Sequence, residues 1–293
     1  MEFSFMQLAD PQLGMYSVLS GPVNPGADER RTIYWGKPNG LRVKPVNKTD
    51  GMEFEIENYS KVITAANLLK PKFLVTCGDM TNNQDDPSNE YNELMRCTDN
   101  LANDIPMYWV PGNHDVRGTP TLESLARYRK MYGDDVYSFD YDSCHFLVMN
   151  STVCKDPSMV PDEWEKQLEF VQNDLHEARQ QGSRHIIVFA HHPPFIIFVE
   201  EGNNWIVLPP ERRQPLIELF LQYGVSHVFT GHWHRNHHAY YRDLEIVVTS
   251  AVGYPLGPDP SGLRIVQVTD NDIRHKFYAL DDLQNKIELD IPG

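Results

Sequence analysis

The stretch Met107-Tyr108-Trp109-Val110-Pro111-Gly112-Asn113-His114-Asp115 (MYWVPGNHD) passes from an apolar, strand-like run into a turn that sets an amide, an imidazole and a carboxylate side by side. Gly and Asn form turns readily and Asp tolerates them, so an ordinary surface loop would account for this segment taken alone. Its meaning depends on whether the rest of the chain repeats the arrangement.

The arrangement recurs four times. FMQLA runs into Asp10-Pro11-Gln12, FLVTC into Gly78-Asp79, HIIVFA into His191-His192-Pro193-Pro194, and HVFT into Gly231-His232-Trp233-His234. Each run, like CHFLVM from Cys144 and EIVVTS from Glu245, has strand length and is rich in β-branched or aromatic residues. Between them lie helical patterns. Residues 161–181 carry Trp164, Leu168, Val171, Leu175 and Ala178 at helical spacing, with Pro161, Asp162 and Glu163 suited to a helix start. Ile56, Tyr59, Ile63, Ala66 and Leu69 form a second stripe, and 88–102, 121–131 and 210–223 predict further helices. Alternating strand and helix predicts an α/β fold with helices covering buried sheets. Residues 245–280 read instead as consecutive strands with turns at 253–262 and 269–272, an antiparallel completion of the fold. In α/β sheets ligands bind beyond the carboxyl ends of strands, so the five polar loops are expected to converge on one crevice.

No internal repeat or composition shift divides the 293 residues, and a single domain over 1–293 is expected. Residues 14–50, rich in Gly, Pro, Asn and charge, predict a long loop or lid insertion. Hydrophobic residues make up 41% and charged residues 23%, a globular balance that argues against disorder. The net charge of -15, with no local cluster of Lys and Arg, argues against nucleic acid as a partner. If phosphate is bound, something other than basic side chains must hold it. No apolar run approaches the ~20 residues that cross a bilayer. Met1 leads straight into a strand-like segment rather than the basic start and apolar core of a signal peptide, so a cytoplasmic protein without membrane association is expected. Cys77, Cys97, Cys144 and Cys154 show no C-x-x-C spacing and read as reduced, mostly buried thiols.

Carboxylate, amide oxygen and imidazole groups gathered from such loops are ligands for divalent ions of borderline hardness. In extended backbone Asp10 with Gln12, and His232 with His234, would each point the same way. The set is large enough for two ions. The ordered blocks D-x-Q, G-D, G-N-H-D, H-x-P and G-H-x-H resemble the calcineurin-like metallophosphoesterase superfamily, across most of the chain. Gly118-Thr119-Pro120-Thr121, Gly133-Asp134-Asp135 and His234-Arg235-Asn236 are similar to a serine/threonine phosphatase branch of it.

That resemblance implies two packed mixed β-sheets flanked by helices, a four-layer α/β/β/α sandwich. It implies that Asp10, Asp79 and His234, with Gln12 beside them, hold one divalent ion, and that Asp79 bridges to a second held by Asn113, His191 and His232. The ions would be Mn, Fe, Zn or Mg. His114 would be the acid that stabilises phosphate or protonates the leaving oxygen, Asn113 and His114 would contact substrate, and Asp115 would hold the His114 imidazole in its working tautomer. Ions about 3.5–4 Å apart can share a hydroxide, and this metal-bound hydroxide is the expected nucleophile. Two dications against Asp10 and Asp79 leave net positive charge, which would draw phosphate to an acidic protein.

The implied reaction is phosphomonoester hydrolysis, with a phosphoprotein as the expected class of phosphorylated substrate. Hydrolysis of a small phosphodiester is the alternative. A noncatalytic metal-binding scaffold is disfavoured, because a scaffold needs neither the acid His114 nor its neighbour Asp115. Gln12 departs from the superfamily, which more often has His there; a neutral amide oxygen predicts a looser first site biased toward Mg or Mn. His192 reads as a packing or bonding neighbour, Arg117 and Arg235 as solvated charges or phosphate contacts, and Trp205 as a cleft wall or local packing residue.

Overall fold

The computed structural model describes residues 2–20 and 48–283. Strands β1 (Glu2–Leu8), β2 (Leu74–Cys77), β3 (Met107–Val110), β10 (Gly262–Thr269) and β11 (Ile273–Ala279) form one sheet, in the order β11-β10-β1-β2-β3. The other contains β4 (Tyr137–Tyr141), β5 (Cys144–Val148), β6 (His185–Phe189), β7 (His227–Thr230), β8 (His237–Tyr241) and β9 (Leu244–Val248), in the order β4-β5-β6-β7-β9-β8. Each sheet has a parallel block, β1-β2-β3 and β5-β6-β7-β9, completed by antiparallel strands at its edges. This is the mixed two-sheet sandwich that the motif blocks imply.

Strand alternation builds the sandwich. In β6, Ile187 and Phe189 join the layer between the sheets, while Ile186 and Val188 join the cluster packed under the helices. Strands buried on both faces need no polar side, which is why HIIVF reads as continuous apolar sequence. The inter-sheet layer is aromatic: Phe5 stacks on Phe73 at 4.7 Å and meets Phe146, Phe189 and Phe229 of the opposite sheet edge-on at 5.7–6.0 Å. Helices Glu53–Leu69, Ser88–Thr98, Leu122–Tyr132, Pro161–Gln180 and Pro210–Tyr223 lie where the spacings predict them. Tyr59, Ile63 and Ala66 of the first, and Trp164, Val171, Leu175 and Ala178 of the fourth, are buried.

Two expectations need correction. β9 does not continue into an antiparallel meander with β10: it pairs parallel with β7 and antiparallel with the preceding β8, while β10 and β11 form a separate antiparallel hairpin in the other sheet, laid against β1 with Met6 opposite Ile265. Adjacency in sequence does not fix pairing when the connection, here 249–261, is long enough to change sheets. β4 (YSFDY) and β8 (HHAYY) carry no apolar run because they are edge strands with much of their side-chain surface outside the core. Of the long loop expected at 14–50, residues 15–19 form the short helix Met15–Leu19, and 21–47 lie outside the described residues. Cys77, Cys97, Cys144 and Cys154 are free and buried. No helix among the described residues is long and apolar enough to cross a membrane.

Both parallel blocks deliver their carboxyl ends to the same edge of the sandwich. There β1, β2, β3, β6 and β7 run into their polar blocks, and β5 into Asn150 and Ser151.

Candidate metal centre

The loops past the strand ends turn sharply. Asp10, Gln12, Asp79, His232 and His234 all have left-handed φ, between +39° and +66°, and they make up five of the nine non-glycine residues so placed among those described. Convergence therefore does not arise from alternation in extended backbone, as the sequence suggested: β1 stops at Leu8 and β7 at Thr230, and the candidate pairs Asp10 with Gln12 and His232 with His234 sit in left-handed turns beyond them. Such backbone is costly for non-glycine residues and clusters at functional sites. Backbone bonds hold the turns together, Asp10 N–H to Gly78 O at 3.1 Å, Gln12 N–H to Asp79 O at 2.9 Å and Gly231 N–H to His191 O at 3.0 Å. Gly78 is obligatory, because with φ at +85° a Cβ there would lie 2.4 Å from His191 Nδ1.

The structure brings together Asp10, Asp79, Asn113, His191, His232 and His234, and Gln12 joins them through its backbone N–H on Asp79 O. Asp79 Oδ2 lies 3.3 Å from His191 Nε2, Asn113 Oδ1 and His232 Nδ1 each 3.1 Å from that nitrogen, and Asp10 Oδ1 3.3 Å from His234 Nε2. Asp10 is also tied to the opposite loop, accepting from the His232 backbone N–H at 3.0 and 3.2 Å.

Backbone carbonyls assign the imidazole tautomers, since a carbonyl can only accept. His191 Nδ1–H donates to Cys77 O at 2.8 Å, His234 Nδ1–H to Tyr254 O at 2.7 Å, and His232 Nε2–H to Trp205 O at 3.0 Å. In each ring the second nitrogen is left as the lone-pair donor, and it is the nitrogen nearest the carboxylates or the other imidazoles. Gln12 Nε2–H donates to Asn82 Oδ1 at 3.2 Å, whereas its Oε1 is buried without a hydrogen-bond partner. Two carboxylates, an Asn oxygen, three oriented imidazoles and this orphaned acceptor fit divalent ions.

Burial pulls His191 down, but the Asp79 charge, the bond to Asp79 and the Asp10 charge outweigh it and raise the group to about 9. Burial and then the neighbouring His191 hold His232 down at about 3. A cation held here would take the place of the His191 proton, which would link metal uptake to proton release.

The role expected of Asp115 is corrected by the geometry. Its carboxylate does not touch the His114 ring. It accepts from the backbone N–H groups of Gly112 and Asp79 at 2.8 Å, Met80 at 3.0 Å and Thr81 at 3.5 Å. The GNHD block opens a short helix, Asn113–Val116, and Asp115 at its third position bends back to the cap amide, as an acidic residue there commonly does. Asp115 is thus the clasp between the β2 and β3 loops. The group that orients His114 is Asn82, whose carbonyl accepts from Nδ1–H at 2.7 Å. His114 also donates its backbone N–H to Asp79 Oδ1 at 2.7 Å.

Sequence reading missed Asn82, three residues past Asp79 in GDMTN, because its service is through a main-chain oxygen. It also missed Ser151, whose hydroxyl accepts from the N–H groups of His191 at 3.0 Å and His192 at 2.8 Å and donates to His192 Nδ1 at 3.1 Å. His192 is buried, its ring 4.1 Å from that of His232. Arg117 points to Asp85, at 2.8 Å, and Arg235 stacks on Trp233, at 5.3 Å. Trp205 borders the cleft, edge-on to His232 at 5.5 Å.

A second cluster, His227, Glu245 and His275, gathers at the other end of β7 and β9. It differs in its hydrogens. Arg264 donates to His275 Nδ1 at 2.9 Å, so the other ring nitrogen carries the hydrogen and points it at Glu245, 3.3 Å away. With His238 at 2.7 Å and Tyr240 at 2.9 Å on the same carboxylate, this is a satisfied hydrogen-bond network rather than a set of lone pairs.

The calcineurin-like phosphoesterase family model matches residues 4–236. A Bos taurus protein named serine/threonine-protein phosphatase CPPED1 is 36% identical over 296 residues, covering 99% of this chain and 88% of that protein. A more distant relative, a probable cyclic nucleotide phosphodiesterase of a Pseudoalteromonas species, is 27% identical over 198 residues, 67% of this chain and 68% of the other. Among solved structures, a dimetal phosphatase from Danio rerio superposes with a TM-score of 0.64 at 12% identity, covering 95% of this chain and 96% of that one.

Proposed function

The chain belongs to the calcineurin-like phosphoesterase family and is a phosphoric ester hydrolase, and from that premise we propose that it is a two-metal phosphomonoesterase acting on phosphoserine or phosphothreonine in proteins. The observation that carries the two-metal reading is the imidazole geometry: His191, His232 and His234 each spend one nitrogen on a backbone carbonyl and offer the other beside Asp79 or Asp10. The first ion would take Asp10, Asp79, His234 and Gln12, and the second Asp79, Asn113, His191 and His232. When bound, such a pair supplies the charge that an acidic protein otherwise lacks for phosphate, and lowers the pKa of water in the cleft.

The chain's own groups do the rest. Asn82 accepts from His114 Nδ1–H, so when the ring is protonated its Nε2–H is the proton left to give to the leaving oxygen. Asp115 holds the β2 and β3 loops at fixed separation, which keeps His114 in register with Asp79. Asn113, next to His114 and 3.1 Å from His191, is placed to meet the phosphate from the second-ion side.

The extended likeness to a protein named as a serine/threonine phosphatase supports the monoester over the diester reading, and the 27% likeness to a probable phosphodiesterase keeps the diester in the test. Hydrolysis of p-nitrophenyl phosphate, bis-p-nitrophenyl phosphate and a phosphoserine peptide is measured with Mn, Mg, Fe and Zn added separately. The proposal expects the two monoesters to be cleaved faster than the diester in kcat/KM. A diester preference would replace it.

A further inference from the structure

His232 differs from the other two imidazoles in the carbonyl that orients it. Cys77 is the last residue of β2, and Tyr254 lies on the buried turn after β9; both are fixed by the sheets. Trp205 is instead half-exposed on the irregular segment between Pro193 and the helix Pro210–Tyr223. A carbonyl on such a segment can hold a ring nitrogen only if the segment itself is held.

Buried Arg213 anchors its two ends, donating to the carbonyls of Pro194, Glu201 and Leu208, and Lys155 ties down the stretch between them that carries Trp205. Lys155 ends the short helix Ser151–Lys155 and its ammonium is half-buried. All three hydrogen bonds found for it go to this one segment: the side-chain oxygen of Asn203 at 3.0 Å, the carbonyl of Asn204, and the carbonyl of Val207 at 2.6 Å. Those partners flank Trp205 on both sides. Asn204 completes the turn by accepting from the N–H groups of Ile206 at 2.8 Å and Val207 at 3.2 Å. The same short helix begins with Ser151, which fixes the backbone of His191 and His192, so one element reaches both His191 and the segment over His232. The His232 ring is then flanked by His192 at 4.1 Å and Trp205 at 5.5 Å.

We propose that Lys155 is a positioning residue for the second metal ion: it straps residues 203–207 down so that the Trp205 carbonyl receives His232 Nε2–H, which leaves Nδ1 as the lone-pair nitrogen turned toward His191 and Asp79. This rests on the assignment of His232 as a ligand. Released from Lys155, residues 203–207 lose their ammonium anchor and the His232 ring its fixed carbonyl partner, while the first site, built on Asp10, Asp79, Gln12 and His234, makes no contact with the strap. Outer partners that orient a metal-bound histidine are typically worth about 10- to 100-fold in metal affinity.

The test has two readouts that need no turnover. Long-range proton–nitrogen NMR of metal-free wild-type protein reports the His232 tautomer, and calorimetric titration with Mn reports the affinity of each site. Wild-type His232 is expected to carry its hydrogen on Nε2. Lys155→Met is expected to weaken the second Mn site about 10- to 100-fold with the first unchanged, and Lys155→Arg to restore much of the affinity. A wild-type Nδ1–H tautomer overturns the inference without any variant, so it stays testable even if Lys155→Met does not fold. An unaltered second-site affinity in a folded Lys155→Met also overturns it. Wild-type protein that takes up no divalent ion at all would instead sink the two-metal reading on which the inference stands.

Discussion

Replacing Gln12 by Met should change the sign of its effect on stability according to whether metal is present. Gln12 is 2% exposed, donates once, to Asn82 Oδ1 at 3.2 Å, and leaves Oε1 buried without a partner. An orphaned buried acceptor costs about 1–3 kcal/mol, and one neutral hydrogen bond contributes about 0.5–1.5 kcal/mol. Met has nearly the same length and lacks both groups, so in chelator the substitution is expected to lie between roughly neutral and roughly 2 kcal/mol stabilising. The left-handed φ of +39° strains both residues alike and cancels. With Mn present the orphan has an ion to bind, and the protein is stabilised in proportion to the logarithm of metal concentration over Kd. If Gln12→Met weakens the first site about 10- to 100-fold, it forfeits about 1.4–2.7 kcal/mol of that stabilisation. The assay is urea unfolding followed by circular dichroism, for both proteins, in EDTA and in Mn at a concentration that saturates the wild type. A difference between the two proteins that keeps one sign and size in both buffers refutes the reasoning, because it means that Oε1 never meets an ion.

Three further outcomes are expected. His114→Asn should lower kcat by about 10²- to 10⁴-fold with metal content near that of the wild type, read by turnover and elemental analysis of the same preparation; depleted metal would show that the ring is structural. Asp115→Asn replaces an acceptor of four backbone N–H groups, two on each oxygen, with an amide that turns a donor toward two of them, and should destabilise by at least about 2 kcal/mol in urea while leaving the acid limb of the pH–rate profile where it was; a shifted limb would restore the discarded contact with His114. His145, far from the cleft, is pulled down by burial but raised overall by bonds to Asp174 at 2.8 Å and Asp140 at 2.9 Å. A raised folded-state pKa gives stability that is fully present below the unfolded value of about 6.5 and is lost as pH rises through the folded value, so the stability margin of wild type over His145→Gln should shrink between pH 6 and pH 9. A margin constant over that range would count against it.

The chemistry of this protein was legible in sequence because each ligand-bearing block is a local event. An apolar run ends, a turn follows, and the residue types in the turn declare divalent-ion chemistry whatever lies elsewhere; the helices, set by spacing within a dozen residues, were readable for the same reason. Sheet membership was less so, since nothing within EIVVT says that β9 pairs with β7 rather than with β10. The working state of the site was not readable at all. His191 takes its tautomer from Cys77, 114 positions away, and His232 hands its backbone N–H to Asp10 across 222. Asn82 and Trp205 act there through carbonyl oxygens, which every residue possesses, so no side-chain pattern marks them. Asp115 looked like a partner for the ring beside it, but a carboxylate at the third position of a helix reaches back to the free amide at its start, and packing against the loop after β2 added three more. Sequence fixes which atoms can donate and accept; which donor meets which acceptor depends on how chain segments far apart in sequence are brought into contact, and that is settled only when the two sheets close on each other.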